Sequence, residues 1–153
     1  EIRLSLVGSE MCIRDSLCID GDGPGVVFEP WGPLLELTGR LASSDAILGI
    51  FGATDKARRV IPNKVYQGLA IGRPVITAST SAYPESLRAD EDQGFFWALP
   101  GDPASIQAAV HRLQARRNDL VSYGLLSRRT YDQCFSNALI ARQLTQLLAL
   151  TGA

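Results

Sequence analysis

Two spacings of apolar residues alternate along the chain. Val26-Val27-Phe28 is a short β-rich run closed by Glu29-Pro30-Trp31-Gly32-Pro33, which must turn. Across residues 34–43 apolar side chains recur at 34, 37 and 41, the spacing of one helix face. Residues 46–51, Ala-Ile-Leu-Gly-Ile-Phe, are apolar without interruption, as in a strand covered on both faces. Residues 52–59 are polar and read as a loop. Pro62 suits the first turn of a helix and Gly72 its carboxyl cap, with Val65, Tyr66, Leu69 and Ala70 as the stripe between them. Residues 74–78 and 94–99 read as two further buried strands. Beyond them the pattern is helical. Asp102-Pro103 is an N-cap followed by a first-turn proline, ahead of a face made by Ile106, Val110 and Leu113. Ser136 caps a last helix whose apolar face is Ile140, Leu144, Leu147 and Leu148. Strands alternating with helices through short loops predict a parallel sheet covered on both sides, with right-handed crossovers.

The fold class expected is therefore α/β, a Rossmann-like parallel-sheet half-domain with C-terminal helices. Residues 1–16 do not belong to that pattern. Met11-Cys12-Ile13-Arg14-Asp15-Ser16 is what the frame ATG-TGT-ATA-AGA-GAC-AG encodes, the transposon end of a common sequencing adapter. Leu6 to Glu10 continue the same adapter in the same frame. A signal peptide is the rival reading, but Ser9, Glu10, Arg14 and Asp15 interrupt its apolar core; a first strand over residues 2–7 is another. On the adapter reading Cys12 has no functional meaning. The natural protein then begins near Leu17 of this chain and continues upstream of it, and residues 17–153 are a partial nucleotide-sugar-binding domain, as the resemblance below implies.

With 46% hydrophobic and 20% charged residues, the 153-residue chain can bury a core. Fifteen Lys and Arg face sixteen Asp and Glu; without residues 1–16 the balance is thirteen of each. That excludes a nucleic-acid or anionic-membrane binder relying on surplus cations. Cys12, Cys18 and Cys134 are too scattered for a disulfide framework or a zinc site, and a reducing cytosol suits them. Peripheral association at the inner face of the membrane stays open.

Ligands of open parallel sheets bind beyond the carboxyl ends of the strands. There the chain places Gly52-Ala53-Thr54-Asp55-Lys56-Ala57-Arg58-Arg59, then Val60-Ile61-Pro62-Asn63-Lys64 entering a helix. A glycine-containing loop with three cations, followed by a helix amino end, suits an anion such as a diphosphate. Surface cations balancing nearby acids are the plainer alternative. Gly21-Asp22-Gly23-Pro24-Gly25 lacks the spacing and the helix of a phosphate loop and reads as a turn. His111 has no companion ligand and reads as a surface histidine, Cys18 and Cys134 as packing residues, and residues 90–92 as a solvated acidic loop. No metal-ligand cluster is present in the sequence.

Residues 49–77, with Gly49-Ile50-Phe51-Gly52, Lys56-Ala57-x-Arg59-Val60-Ile61-Pro62-Asn63-Lys64-Val65-Tyr66-Gln67-Gly68-Leu69-Ala70-x-Gly72-Arg73-Pro74-Val75-Ile76-Thr77, resemble the donor-binding half of retaining glycosyltransferases of family 4, the "group 1" enzymes of the GT-B fold. Flanking pieces agree: Val26-x-Phe28-x-Pro30-Trp31-x-Pro33, Ala42-Ser43-Ser44-Asp45, Pro100-Gly101-Asp102-Pro103 and Tyr131-x-x-x-Phe135-Ser136. The resemblance covers about residues 26–148. It implies the C-terminal domain of a GT-B enzyme, truncated at its N-terminus, that binds a nucleotide diphosphate sugar as donor substrate and needs no further cofactor or metal. It also implies transfer with retention to an acceptor of unidentified class (sugar, lipid or polysaccharide), and an N-terminal domain of the same protein as partner, without which the fragment is inactive.

The family usually carries Glu-x7-Glu, where the first Glu contacts the donor sugar and the second the ribose. Here Arg59 and Gln67 stand at those positions. Gln67 can still hydrogen-bond a ribose diol, whereas Arg59 suits phosphate. The resemblance places Gly52, Lys56, Arg59, Ile61, Pro62, Asn63, Lys64 and Gln67 around diphosphate and sugar, and Trp31 and Gly32 at the base. Two other readings share the scaffold: a sugar-nucleotide epimerase, which would present a histidine and glutamate set in this loop, and a non-catalytic nucleotide-sugar binder, which the missing Glu pair favours.

Overall fold

The computed structural model describes residues 3–5, 33–89 and 93–151. Four parallel strands lie in the order β1 (Leu4–Ser5), β2 (Ala46–Leu48), β3 (Val75–Ala78) and β4 (Phe95–Ala98). The last three form the body of the sheet. The helices are α1 (Leu34–Ala42), α2 (Asp55–Arg59), α3 (Asn63–Ala70), α4 (Glu85–Arg88), α5 (Pro103–Ala115), α6 (Leu120–Cys134) and α7 (Asn137–Thr151), with a 3-10 turn at Arg117–Asp119. The α/β class and the parallel sheet are as the pattern of apolar residues predicts.

Successive strand residues point to opposite faces, and the core divides accordingly. Ile47, Val75, Phe95 and Trp97 pack with Leu41, Val65, Leu69, Tyr83 and Leu87 of α1, α3 and the α4 region. Ala46, Ile76, Phe96 and Ala98 pack on the other side with Ala109 and Leu113 of α5 and Tyr123 of α6. β3 and β4 are buried along their whole length, which is why their sequences are apolar runs rather than alternations. Aromatic rings fill the first face. Phe95 and Trp97 stack at 4.5 Å, and Tyr83 meets both edge-on at 5.7 and 5.1 Å.

Several boundaries differ from the expectation. The strand predicted over 46–51 ends at Leu48, although Gly49 N–H still donates to Ile76 O at 2.8 Å and Ala78 N–H to Ile50 O at 3.0 Å. Residues 55–59 are not loop but a short helix. Thr54 caps it, its hydroxyl accepting from Ala57 N–H, with Asp55 in the first turn and three cations at the end. Pro62 sits at the N-cap of α3 rather than inside its first turn. Gly72 does follow the helix in the left-handed region, φ +72°. The predicted run at 26–28, the glycine turn at 21–25 and the acidic loop at 90–92 lie outside the described residues.

The cap of α5 is as expected, Asp102 accepting from Ala104 N–H at 3.0 Å. Ser136 accepts from Leu139 N–H at the start of α7. The apolar face of α7 faces solvent, with Ile140, Leu144, Leu147 and Leu148 46–71% exposed. At the amino end of β4, Gly94 has φ +85°, and a Cβ there would lie 2.3 Å from Ser127 Oγ and 2.7 Å from its Cα. Glycine is thus required where α6 crosses the sheet. Among the described residues, no helix is long and apolar enough to cross a membrane.

Candidate functional site

The carboxyl ends of β2, β3 and β4 open onto three loops that hydrogen bonds draw together. Ser79 N–H donates to Ala98 O at 2.9 Å, and Gly101 N–H to Phe51 O at 2.7 Å. Thr77 Oγ1 lies 3.3 Å from both the N–H and the carbonyl of Ile50, and 3.3 Å from Tyr83 Oη. A Cβ at residue 49 would sit 2.2 Å from Thr77 Oγ1, so Gly49 is what lets β3 approach. The loop after β3 reaches α2 through Ser81 Oγ, which donates to Arg58 O at 3.3 Å.

On this platform the chain from Gly52 to Gln67 carries eight of the predicted site residues. Gly52 is exposed in the loop; Lys56 and Arg59, with Arg58, are exposed on α2. None of these three cationic side chains has a hydrogen-bond or ion-pair partner among the described residues. Ile61 and Pro62 are half-buried in the link to α3. Pro62, at the N-cap, offers no side-chain oxygen to the first turn, and its carbonyl accepts from Val65 N–H at 2.9 Å. Asn63 is exposed in that turn, Lys64 is half-buried beside it, and Gln67 follows Asn63 by one turn on the same side. Behind them Val65, Gly68 and Leu69 are buried. A Cβ at Gly68 would come within 2.8 Å of Ile47 Cγ1, so the glycine lets α3 lie close on β2. Trp31 and Gly32, the predicted base contacts, lie outside the described residues.

Electrostatically the site combines a helix amino end with a cation-bearing helix, and no acid lies in the first turn of α3. Lys56, Arg58 and Arg59 also complement the carbonyl end of α2 itself. Tyr83 beneath the platform is pushed up to about 12, chiefly by burial, with the Thr77 hydrogen bond lowering it and Tyr66 raising it. It is a neutral packing and hydrogen-bonding group, not a base. Tyr66 on α3 is also raised by burial.

Sequence reasoning passed over Thr77, Thr80, Ser81 and Tyr83. Thr80 is 7% exposed and its Oγ1 has no hydrogen-bond partner among the described residues, which is uncommon for a buried hydroxyl. The signal was the run Ser79-Thr80-Ser81 directly after an apolar strand, the position where open parallel sheets bind ligands. His111 is exposed and pairs through Nδ1 with Gln114 at 3.0 Å. Cys134 is half-buried against the first core face, its thiol raised by burial. No group of three His, Cys, Asp or Glu that could hold a metal ion occurs among the described residues.

The opposite end of the sheet holds an open cleft of about 590 Å³ between the ends of α3 and α6, lined by Asp45, Arg73, Val121, Leu125 and Arg128 among others. Its cations are engaged. Arg73 Nη2 donates to Ala42 O, and Arg128 Nη1 donates to Ala70 O at 2.8 Å while Nε pairs with Asp132 at 3.1 Å. The carboxyl end, with its unengaged cations, is the better candidate for an anionic ligand. Comparison of the chain with known protein families, with curated proteins and with solved structures finds no match.

Proposed function

We propose that the chain is the donor-binding half of a retaining glycosyltransferase of family 4, taking a nucleoside diphosphate sugar at the carboxyl ends of β2–β4. The observation that carries this reading is the order along residues 46–67: buried strand, glycine-containing loop, a helix with three cations that have no partner among the described residues, then a helix amino end bearing Asn63 and Lys64. The family resemblance of the same residues supports it independently of the geometry.

In this reading Lys64 and the amino end of α3 meet the β-phosphate, Asn63 the sugar side, and Gln67 the ribose hydroxyls. Breaking the glycosidic bond pushes negative charge onto the β-phosphate, and fixed cations and N–H dipoles stabilise that charge where it develops. Arg59, where the family has a sugar-contacting Glu, adds positive charge next to the leaving group. A non-catalytic nucleotide-sugar binder is the second reading, and the replacement of both Glu positions by Arg59 and Gln67 favours it.

The test is turnover of the full-length parent with a panel of nucleotide sugars, in the native sequence and in Lys64→Ala and Gln67→Ala variants. Lys64→Ala is expected to lose roughly 100-fold or more in kcat, and Gln67→Ala to raise KM by about tenfold, one hydrogen-bonded contact's worth. Full activity in both variants would move the donor site elsewhere. Nucleotide-sugar binding without turnover in the native parent would favour the second reading.

A further inference from the structure

The buried Thr80 hydroxyl has no hydrogen-bond partner among the described residues. Such a group costs the fold its desolvation, and each one calls for a reason. Ties along the chain fix where it sits. Just before it, Ser79 N–H donates to Ala98 O at 2.9 Å, holding the loop to the end of β4. Just after it, Ser81 Oγ donates to Arg58 O at 3.3 Å, holding the loop to α2. The Thr80 carbonyl accepts from Tyr83 N–H at 3.2 Å. Thr80 is therefore kept between the carboxyl end of the sheet and the cation-bearing helix.

That helix is lightly fastened. α2 buries none of its side chains, and residues 52–60 are exposed except for half-buried Ala57. Five residues are too few to hold a helix by themselves. Among the described residues, the bond from Ser81 is the hydrogen bond that ties α2 to the loop after β3. A long, exposed bond of this kind stabilises little against competing water. Three cations without partners among the described residues thus ride on a segment that can shift. Beside it lies a hydroxyl that gains a partner only when something shifts.

We infer that Thr80 is a ligand-contacting residue of the carboxyl-end site: when α2 lifts from Ser81, the Thr80 hydroxyl donates to a phosphate oxygen of the bound nucleoside diphosphate. The inference rests on the donor-site reading above. The anion brings the buried hydroxyl the acceptor it lacks, and draws Lys56, Arg58 and Arg59 into charge-assisted bonds. The hydroxyl thereby stabilises the liganded state and destabilises the free one. Such differential interaction is what a ligand needs to shift a conformational equilibrium.

Opposite signs in a single variant test this. Calorimetry measures the binding of UDP, ADP, GDP and inorganic pyrophosphate to the 153-residue chain, alongside urea midpoints. Thr80→Val replaces the hydroxyl by a methyl of like shape. It is expected to raise the urea midpoint, because an unsatisfied group is removed, and to weaken diphosphate binding roughly tenfold. Thr80→Ser keeps the hydroxyl and is expected to recover most of that lost affinity. Ser81→Ala frees α2 and is expected to tighten binding about two- to threefold, as the cost of lifting the helix falls.

A lower midpoint in Thr80→Val would mean that the hydroxyl is bonded within the fold, and would overturn the inference. So would equal diphosphate affinity in Thr80→Val and the native chain, an outcome that leaves the donor site itself standing. Thr80→Ser binding as weakly as Thr80→Val, or Ser81→Ala binding more weakly than the native chain, would overturn it as well. A native chain that binds none of these probes would remove the donor-site reading, and the inference with it.

Discussion

At the amino end of the sheet, Arg73 and Arg128 donate to the terminal carbonyls of α1 and α3, Ala42 O and Ala70 O. At the carboxyl end, Lys56, Arg58 and Arg59 hold their charges out from α2 with no such partner among the described residues. Both groups look alike in the sequence, as basic residues near element boundaries. A guanidinium bonded to helix-end carbonyls belongs to the fold, and its removal leaves an acceptor unsatisfied. A solvated cation contributes little to stability and is available to an anion. The two ends should therefore respond to substitution in opposite currencies, stability at one and ligand affinity at the other.

The sharpest contrast is between two glycines. Gly94→Ala at the amino end forces a Cβ into the backbone of Ser127 at a positive φ, and is expected to cost about 3 kcal/mol or more by overpacking and strain. Gly52→Ala at the carboxyl end meets Ala57 Cβ at an ordinary 3.6 Å, and denaturant titration should place it within about 0.5 kcal/mol of the native chain. Equal losses would erase the distinction.

Tyr83 tests whether the carboxyl end is free of any tie to stability. Its hydroxyl is pushed from the ordinary 10.0 to about 12 in the folded state. The neutral form is favoured by folding, so the stabilisation is complete below pH 10 and is lost as pH rises through 12. A shift of this size corresponds to roughly 2–3 kcal/mol. Urea midpoints should fall across that window in the native chain and fall less in Tyr83→Phe; identical curves would remove Tyr83 from the account.

A smaller effect is expected of Arg73→Met, which keeps the aliphatic stem but strips the donor from Ala42 O. The expected cost is about 1–2 kcal/mol, with nucleoside diphosphate affinity unchanged by calorimetry. The least effect on stability belongs to the combined Lys56→Ala, Arg58→Ala and Arg59→Ala variant, within about 0.5 kcal/mol. Its affinity for a nucleoside diphosphate should drop about tenfold at low salt and less at high salt. A variant that loses stability and keeps affinity would turn the comparison round.

Much of this architecture could be read from the chain before its structure was known. Buried parallel strands announce themselves as apolar runs, and residues 75–78 and 95–98 were plain for that reason. Asp102-Pro103 named the start of α5 because capping chemistry is local. The helix α2 escaped because five residues are too few for an apolar stripe, and its evidence lay in Thr54, Asp55 and the trailing cations instead. The early end of β2 turns on Thr77, 27 residues away from Ile50, and no local pattern reports such a contact. The loop residues around Lys64 are marked as a candidate site in the sequence by their order. Thr77, Ser81 and Tyr83 are not, because they act by meeting residues distant in the chain. The stripe Ile140, Leu144, Leu147 and Leu148 shows the remaining limit: spacing says which side chains share a face, not what covers it.

The all-parallel sheet also sets an order of assembly. Among the described residues no strand pair can close as a local hairpin; partners opposite one another stand 20, 28 and 42 positions apart for β3–β4, β2–β3 and β1–β2. Loop-closure entropy grows slowly, by about 0.6 kcal/mol per doubling, but β3–β4 combines the shortest loop with four paired residues against two for each of the others. The folding nucleus accordingly lies around Phe95, Phe96 and Val75, and the sheet grows from there toward the chain's beginning. Among the described strands, Leu4–Ser5 pairs across the longest separation and so joins the sheet last.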